Sequence, residues 1–262
     1  MRNLKSFAFA LGACALVASS LSAQTGTGTM NLSGVNGNWS CYSASSVGTG
    51  GECAYTSPYS GQFEQLTNLS GVPNWQLPAG GYGPSSTFGP STDVFCVDFF
   101  HNSYIGQVSS AYLTNLGDLG GSHSSWLGTY TRSSNLTQYL EAAWLAQKIE
   151  SVGAGTTQAL EMNGAIWQIM YGSPMYRWDG STWNNNVGGV GIAYWAGQAA
   201  TYYSTQVNPS NWVVVTPTNF ASSGSSQEYI TQVTPEPATL LLLGTGLLGM
   251  VIAASAFRRM SA

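Results

Sequence analysis

The stretch Asp93-Val-Phe-Cys-Val-Asp-Phe-Phe-His101 has six apolar residues among its nine and predicts a buried strand. Successive side chains of a strand point to opposite faces, so Cys96 shares a face with Val94, Asp98 and Phe100. Residues 24–90, before this strand, are dense in Gly, Ser, Asn and Pro, which favours short strands and long turns. Residues 104–116 predict a second strand with a break near Ser109, and 117–125 predict a loop.

The hydrophobic period changes after this loop. Asn135 can cap a helix that runs to about Glu150, and Thr156 or Thr157 can cap a second that runs to Tyr171. A third helix is predicted over 190–203, and 211–217 returns to strand. The sequence therefore predicts an α+β fold, a β-rich domain with a short cluster of about three helices.

The carboxyl-terminal segment 234–260 has the features of a membrane anchor. Residues 238–257 carry no charge and, as a helix, reach roughly 30 Å, the thickness of a bilayer's hydrocarbon core. Arg258 and Arg259 follow at once, which predicts a single pass with the rest of the chain outside the cytoplasm.

The order of Pro235-Glu236-Pro237, apolar span and arginine pair resembles the PEP-CTERM sorting signal of Gram-negative bacteria. The resemblance implies export and temporary anchoring in the inner membrane through 238–257. It also implies processing near Pro235-Glu236-Pro237 by an exosortase, an enzyme linked to exopolysaccharide production. The expected partners are thus the secretion translocon, the membrane and the exosortase, and the expected final location is the cell surface or the extracellular matrix, as in a biofilm.

The amino terminus predicts a secretory signal peptide over 1–23, because a basic start is followed by an apolar segment and small residues. The predicted organisation is therefore a signal peptide (1–23), an exported domain (24–221), a polar stalk (222–233) and the sorting segment (234–260). Of the exported domain, 93–203 is the part with the clearest pattern.

Charge limits the partners of the exported domain. Between the signal peptide and the sorting segment, residues 24–233 carry the cations Arg132, Lys148 and Arg177 against ten acidic residues, for a net charge of about −7. Nucleic acid is disfavoured as a partner because phosphate binding needs clustered Lys and Arg. Neither a metal-binding spacing nor a cofactor motif is recognised, so no metal or cofactor is predicted.

The cysteines predict one disulfide. Cys14 leaves with the signal peptide, whereas Cys41 and Cys53 stand twelve residues apart in a Gly/Ser-rich region and form the natural pair in an oxidising compartment. Cys96 is left over, which is compatible with a small buried hydrophobe, a dimer-forming thiol or a reactive group.

Two motifs together resemble the thioester domain of bacterial surface adhesins: Phe95-Cys-Val-Asp98 on the strand and Asn163-Gly-Ala-Ile-Trp167 on the second helix. The resemblance implies that Cys96 supplies a thiol that forms an internal thioester with a side-chain amide, which a partner's amine opens. It also implies that Asp98 takes the place of the family's acid, and that Ala165, Ile166 and Trp167 act as helix anchors. Asn163 stands where the family has Gln, and its amide is one methylene shorter, roughly 1.5 Å of reach.

Weaker alternatives come from other residue pairs. Cys96 could combine with His101 or His123 as nucleophile and base, and Asp98 with Glu161 could form a glycosidase pair. Asp93 and Asp98 could contribute to a calcium site, although the dense pattern of a calcium loop is missing. An enzyme is therefore not the expected class.

The rival to an adhesive role is a non-covalent exopolysaccharide-binding module. Trp126, Trp178 and Trp183 stand in loops rich in Gly, Ser and Asn, where exposed aromatic faces beside neutral polar groups suit sugar stacking. The sequence thus predicts an exported surface or matrix protein with a structural or adhesive role.

Overall fold

A computed structural model describes residues 25–47, 49–56, 58–68, 92–120, 123–187, 190–222 and 225–232. The predicted signal peptide (1–23) and sorting segment (234–260) lie outside these ranges. Within the ranges, every helix is too short or too polar to cross a bilayer.

Six antiparallel strands close into a barrel. Their bounds are β1 Thr25–Val35, β4 Tyr59–Asn68, β5 Thr92–Cys96, β6 Val108–Asn115, β11 Trp212–Pro217 and β12 Tyr229–Gln232. They neighbour one another in the order β1, β4, β5, β12, β11, β6, with β6 pairing back to β1. Every residue of β11 is buried, and Trp212, Val213, Val214 and Val215 belong to the hydrophobic core.

The remaining strands form two smaller sheets. The bounds are β2 Trp39–Ser43, β3 Glu52–Tyr55, β7 Tyr176–Trp178, β8 Trp183–Asn184, β9 Asn186–Val187 and β10 Val190–Gly191. One sheet has the order β3, β2, β7, β8, and the short strands β9 and β10 pair with each other. Cys41 and Cys53 are directly opposite each other on β2 and β3 and are joined by a disulfide. The predicted pairing is therefore confirmed.

Four α-helices lie in the described ranges: α1 Leu116–Leu119, α2 Leu136–Val152, α3 Thr157–Tyr171 and α4 Ile192–Gln206. The predicted caps start the two longest central helices, since Asn135 accepts from the amide of Thr137 and Thr156 accepts from that of Ala159. Gly172 ends α3 in the left-handed conformation at φ 72°. Helices α2, α3 and α4 pack on one another beside the barrel, and the α+β fold with a short helical cluster is confirmed.

The predicted strand over 93–101 ends early, at Cys96. The reason is a local turn that competes with strand pairing: the Asp98 carboxylate accepts from the amide of Phe100 and binds the ring of His101. The strand predicted from residue 104 begins only at Val108, because a turn with Gly106 at φ 84° precedes it. The predicted loop 117–125 instead contains most of α1 and the start of a 3-10 helix, Ser124–Trp126.

The prediction of a polar stalk over 222–233 is wrong for the residues that the structure describes. Ser225, Ser226, Gln227 and Glu228 are buried, and β12 is an interior strand between β5 and β11. The polar composition suggested a solvated segment, but these polar groups are hydrogen-bonded inside the domain. Thr231, for example, donates its hydroxyl to the carbonyl of Asp93 at 2.8 Å.

Candidate functional site

Cys96 lies at the end of β5, opposite Tyr229 of β12, and is fully buried. Its thiol donates to the backbone carbonyl of Asp98 at 3.1 Å. Burial raises the pKa of the Cys96 thiol well above its ordinary value, and the nearby Asp98 carboxylate raises it further. The thiol is therefore held in its neutral form, so any reaction as a nucleophile must pass its proton to another group.

Helix α3 presents the second predicted motif to this strand. Asn163, Ala165, Ile166 and Trp167 are all buried. The nearby Trp167 side chain lowers the pKa of Cys96, although by less than burial raises it, so the two motifs lie close together at these residues. Asn163 precedes Trp167 by four residues, about one helical turn, and so lies on the same side of the helix. A covalent bond between Cys96 and Asn163 stays a prediction.

Aromatic rings fix the position of Trp167. Its ring lies 4.8 Å from that of Tyr42, edge to face, and 5.3 Å from that of Phe99. Tyr42 also donates its hydroxyl to the carbonyl of Leu160 on the same helix at 2.6 Å. The contact between helix and strand is thus held from the four-stranded sheet as well as from the barrel.

Asp98, the predicted supporting acid, is the centre of an ionic cluster. Its Oδ2 lies 2.8 Å from Arg132 Nε and 2.8 Å from His101 Nδ1. His101 Nε2 in turn lies 3.4 Å from Arg132 Nη1. Both ring nitrogens of His101 therefore face groups other than Cys96, while His123, the other candidate base, stacks at 4.1 Å on Trp126. This arrangement does not favour a Cys and His nucleophile pair.

Arg132 joins this cluster to the chain that leads into β12. Its guanidinium donates to the carbonyls of Phe220 and Ser226 at 2.6 and 2.7 Å and to the hydroxyl of Ser225 at 2.6 Å. Planar guanidinium groups suit such multiple fixed contacts. Arg132 is one of the few cations of the exported domain, and its sequence neighbours did not predict this role.

Glu228 is fully buried next to Arg132. Tyr139 and Thr216 each donate a hydroxyl to its carboxylate at 2.6 Å, and the backbone amide of Arg132 donates at 2.8 Å. Burial nevertheless raises the pKa of Glu228 to about 7, because the hydrogen bonds offset only part of the desolvation. The role of Glu228 was not predicted, since a single acid in a polar segment carries no signal of burial.

A cavity of about 300 Å³ opens beside this cluster, between the end of β5 and helix α3. Its walls include Asp98, Arg132, Trp167, Phe100, Tyr171 and Glu228. Phe100 and Tyr171 are each 49% exposed and stand at the mouth with their rings 4.5 Å apart. The cavity is large enough for a small polar group.

The two carboxylates that were predicted as a glycosidase pair, Asp98 and Glu161, have separate partners. Asp98 faces Arg132 and His101, whereas Glu161 interacts with Arg177 and Trp195. Among the described residues, no group of three or more His, Cys, Asp or Glu side chains is placed to hold a metal ion.

The three loop tryptophans have different environments. Trp126 is partly buried and packs against the core, with its ring 5.9 Å from that of Tyr130. Trp178 and Trp183 face each other across the β7 and β8 pair with rings 5.5 Å apart, and Trp178 is 39% exposed. Asp179 fixes the turn between them by accepting from the amides of Ser181 and Thr182.

Comparison with known proteins identifies the carboxyl-terminal segment. Residues 233–259 match a family model described as a PEP-CTERM protein-sorting motif, a span that contains Pro235, Glu236, Pro237, Arg258 and Arg259. The predicted sorting signal is confirmed, and it implies an exported protein that is anchored in the membrane and then processed by an exosortase. No curated protein and no solved structure matches the chain.

Proposed function

We propose that this exosortase substrate is a structural and adhesive protein of the cell surface or extracellular matrix. The observation that carries the proposal is the direct junction of the sorting motif, which begins at residue 233, with the barrel strand β12, which ends at Gln232. The anchor therefore holds a folded domain, and the cavity beside Cys96 is the adhesive site on that domain.

In its covalent form, adhesion uses a thioester between Cys96 and Asn163. The Cys96 sulfur attacks the side-chain amide carbon of Asn163, and the amide nitrogen leaves as ammonia with the thiol proton. A primary amine of the partner then attacks the thioester carbon. An amide forms between the partner and residue 163, and the Cys96 thiol leaves with a proton from the amine.

Three features of the site support this form. Cys96 is withdrawn from water, which protects a thioester from hydrolysis. Trp167 lies near the sulfur on the helix that also carries Asn163. Trp167 also lines the cavity, which a small amine can enter from the open side of the cavity.

The test is the intact mass of the protein purified from its native host. A thioester lowers the mass by about 17 Da, the mass of ammonia, and methylamine then adds about 31 Da. The covalent form would be ruled out if the processed protein had the mass of its sequence, apart from the disulfide, and if Cys96 were alkylated rapidly after unfolding. Adhesion would then be non-covalent at the same cavity.

Matched variants assign the bond to its two residues. Cys96→Ala and Asn163→Leu both remove the mass deficit, because one lacks the sulfur and the other lacks the amide while keeping a similar size. Asn163→Gln restores the reach of the family's amide and raises the fraction of protein with the deficit. An unchanged deficit in Asn163→Leu would assign the carbonyl to another residue.

Processing has its own test, in a host that lacks the exosortase. The protein then keeps the mass of the sorting segment and stays in the membrane fraction, whereas the wild-type host yields a shorter species cleaved near Pro235-Glu236-Pro237. The same mass in both hosts would contradict exosortase processing.

The second candidate is non-covalent binding of exopolysaccharide. The exposed Trp178 and the partly buried Trp183 support it, because two adjacent aromatic faces beside the polar turn of Asp179 suit stacking of sugar rings. Native gels that contain the host's exopolysaccharide should retard the wild-type protein and retard Trp178→Ala less. Equal migration with and without the polysaccharide would contradict this candidate.

A further inference from the structure

A second, larger cleft lies on another part of the molecule. It measures about 610 Å³ and is bounded by the β2 and β3 hairpin on one side and by the loop 102–105 on the other. Trp39, Tyr55 and Tyr104 are 57%, 44% and 69% exposed there. So much aromatic surface around one cleft marks a binding surface, because soluble domains rarely expose large apolar groups together.

The hairpin wall is rigid. Trp39 and Tyr55 are direct partners across β2 and β3, and their rings meet edge to face at 5.3 Å. The disulfide between Cys41 and Cys53 closes the same hairpin two residues further along each strand. The amide of Thr56 also donates to the carbonyl of Asn38 at 3.0 Å and fixes the other end.

The opposite wall is rigid for different reasons. The amide of Tyr104 donates to the Gln107 side chain at 3.0 Å, and the amide of Gln107 donates back to the Tyr104 carbonyl at 2.9 Å. Gly106 has φ 84° and donates its amide to the carbonyl of Leu32 at 2.6 Å. Ser103 accepts from the amide of Gln227 at 2.9 Å. Hydrogen bonds thus hold the backbones of both walls in place before any ligand arrives.

The lining selects a class of ligand. Besides the aromatic rings it offers the neutral polar residues Asn102 and Ser103, and Glu52 is its one charged residue among those that the structure describes. Pyranose rings combine an apolar face of C–H groups with a rim of hydroxyls, which matches aromatic faces beside amide, hydroxyl and carboxylate groups. A polyanion is disfavoured because Glu52 would repel it.

We propose that this cleft binds a neutral polysaccharide chain, with sugar rings stacked on Trp39 and Tyr104. The site deepens the exopolysaccharide candidate above, on which it rests, but it uses other residues than Trp178 and Trp183. Its volume lies within the range of about 300–1,000 Å³ that small-ligand sites occupy, so it accommodates a few sugar units of a longer chain.

The test is electrophoresis of the exported protein through native gels cast with hydroxyethylcellulose, xyloglucan, galactomannan or dextran. At least one of these neutral polymers should retard the wild-type protein, whereas the polyuronate alginate should not. The double variant Trp39→Ala with Tyr104→Ala should weaken the apparent affinity about tenfold or more, as expected for loss of aromatic anchors. Both residues are exposed, so the variant should keep its thermal unfolding midpoint.

Two single variants make the outcomes distinct. Tyr202→Ala removes an exposed aromatic ring elsewhere and should bind as the wild type does, whereas Trp178→Ala tests the other aromatic pair. If Trp178→Ala loses retardation while the double variant keeps it, glycan binding stands and the cleft is wrong. If no neutral polymer retards the wild type, or if a proline-rich peptide binds the cleft instead, the polysaccharide assignment is overturned.

Discussion

Arg132 Nε lies 2.8 Å from Asp98 Oδ2, and both side chains are mostly withdrawn from water. This ion pair joins the turn after β5 to the loop before α2. The same guanidinium binds the carbonyls of Phe220 and Ser226, so one side chain connects three segments that are distant in sequence. The chain just before β12 is therefore held in place by a single cation at the candidate site.

Replacing Arg132 by Met should lower the free energy of unfolding by about 3 kcal/mol or more, because Asp98 is left as a largely buried charge without its cationic partner. Urea unfolding of the exported protein measures this change. The matched control is Lys148→Met, which removes a cation that lies 5.1 Å from the Trp144 ring. That variant should cost no more than about 1 kcal/mol. Equal losses in both variants would contradict the role given to Arg132.

Glu228 should make the protein more stable in mild acid than at neutral pH. Its pKa is about 7 in the folded protein and about 4.5 when unfolded, so between these values the folded state binds the proton more tightly. The contribution of Glu228 to the free energy of unfolding is therefore fully present below about pH 4.5. It is lost as pH rises through about 7, and the loss amounts to about 3 kcal/mol.

The measurement is the free energy of unfolding in urea at pH 5, 6, 7 and 8. Glu228→Gln cannot ionise and should flatten this slope. Glu141→Gln, at a less buried carboxyl whose pKa is also raised by burial, should change the slope less. A slope that survives in Glu228→Gln would assign the pH dependence to other carboxyls.

Local rules predicted much of the helical part of the fold. The caps Asn135 and Thr156 and the stop at Gly172 follow from side-chain or backbone chemistry within a few residues, and the structure has all three. The Cys41 and Cys53 pairing was likewise predicted from a short sequence separation. Such features can be predicted from the sequence because the interacting groups are neighbours in the chain.

The polar half of the candidate site could not be predicted, because its partners are far apart in sequence. Arg132 meets Ser226 across 94 positions and Tyr139 meets Glu228 across 89. Burial of the segment 225–232 depends on these distant donors, so its polar composition alone suggested a stalk. Cys96 and Trp167 were predicted together through a resemblance of motifs, and the spacing itself did not indicate their contact.

Loss of the Cys41 and Cys53 disulfide should lower the free energy of unfolding by about 3 kcal/mol, because the crosslink restricts a loop of the unfolded chain. The measurement compares urea unfolding of the wild type with that of the double variant Cys41→Ala with Cys53→Ala. A reducing agent should bring the wild type to the stability of the variant and leave the variant unchanged. A further loss in the reduced variant would indicate that the reductant acts elsewhere.

Replacement by alanine should change the free energy of unfolding in opposite directions at two helical glycines. A Cβ on Gly164 of α3 would lie 2.7 Å from Ile192 Cδ1 and 2.9 Å from Tyr42 Cε1, so Gly164→Ala forces these side chains apart. We expect a loss of about 1–3 kcal/mol, typical of overpacking in a core. A Cβ on Gly197 of α4 would meet no atom of the described residues within 4 Å, and Gly197→Ala should gain up to about 1 kcal/mol from helix propensity. The measurement is thermal and urea unfolding of both variants. Stabilisation by Gly164→Ala would show that α3 does not pack as closely against α4 and Tyr42 as the distances indicate.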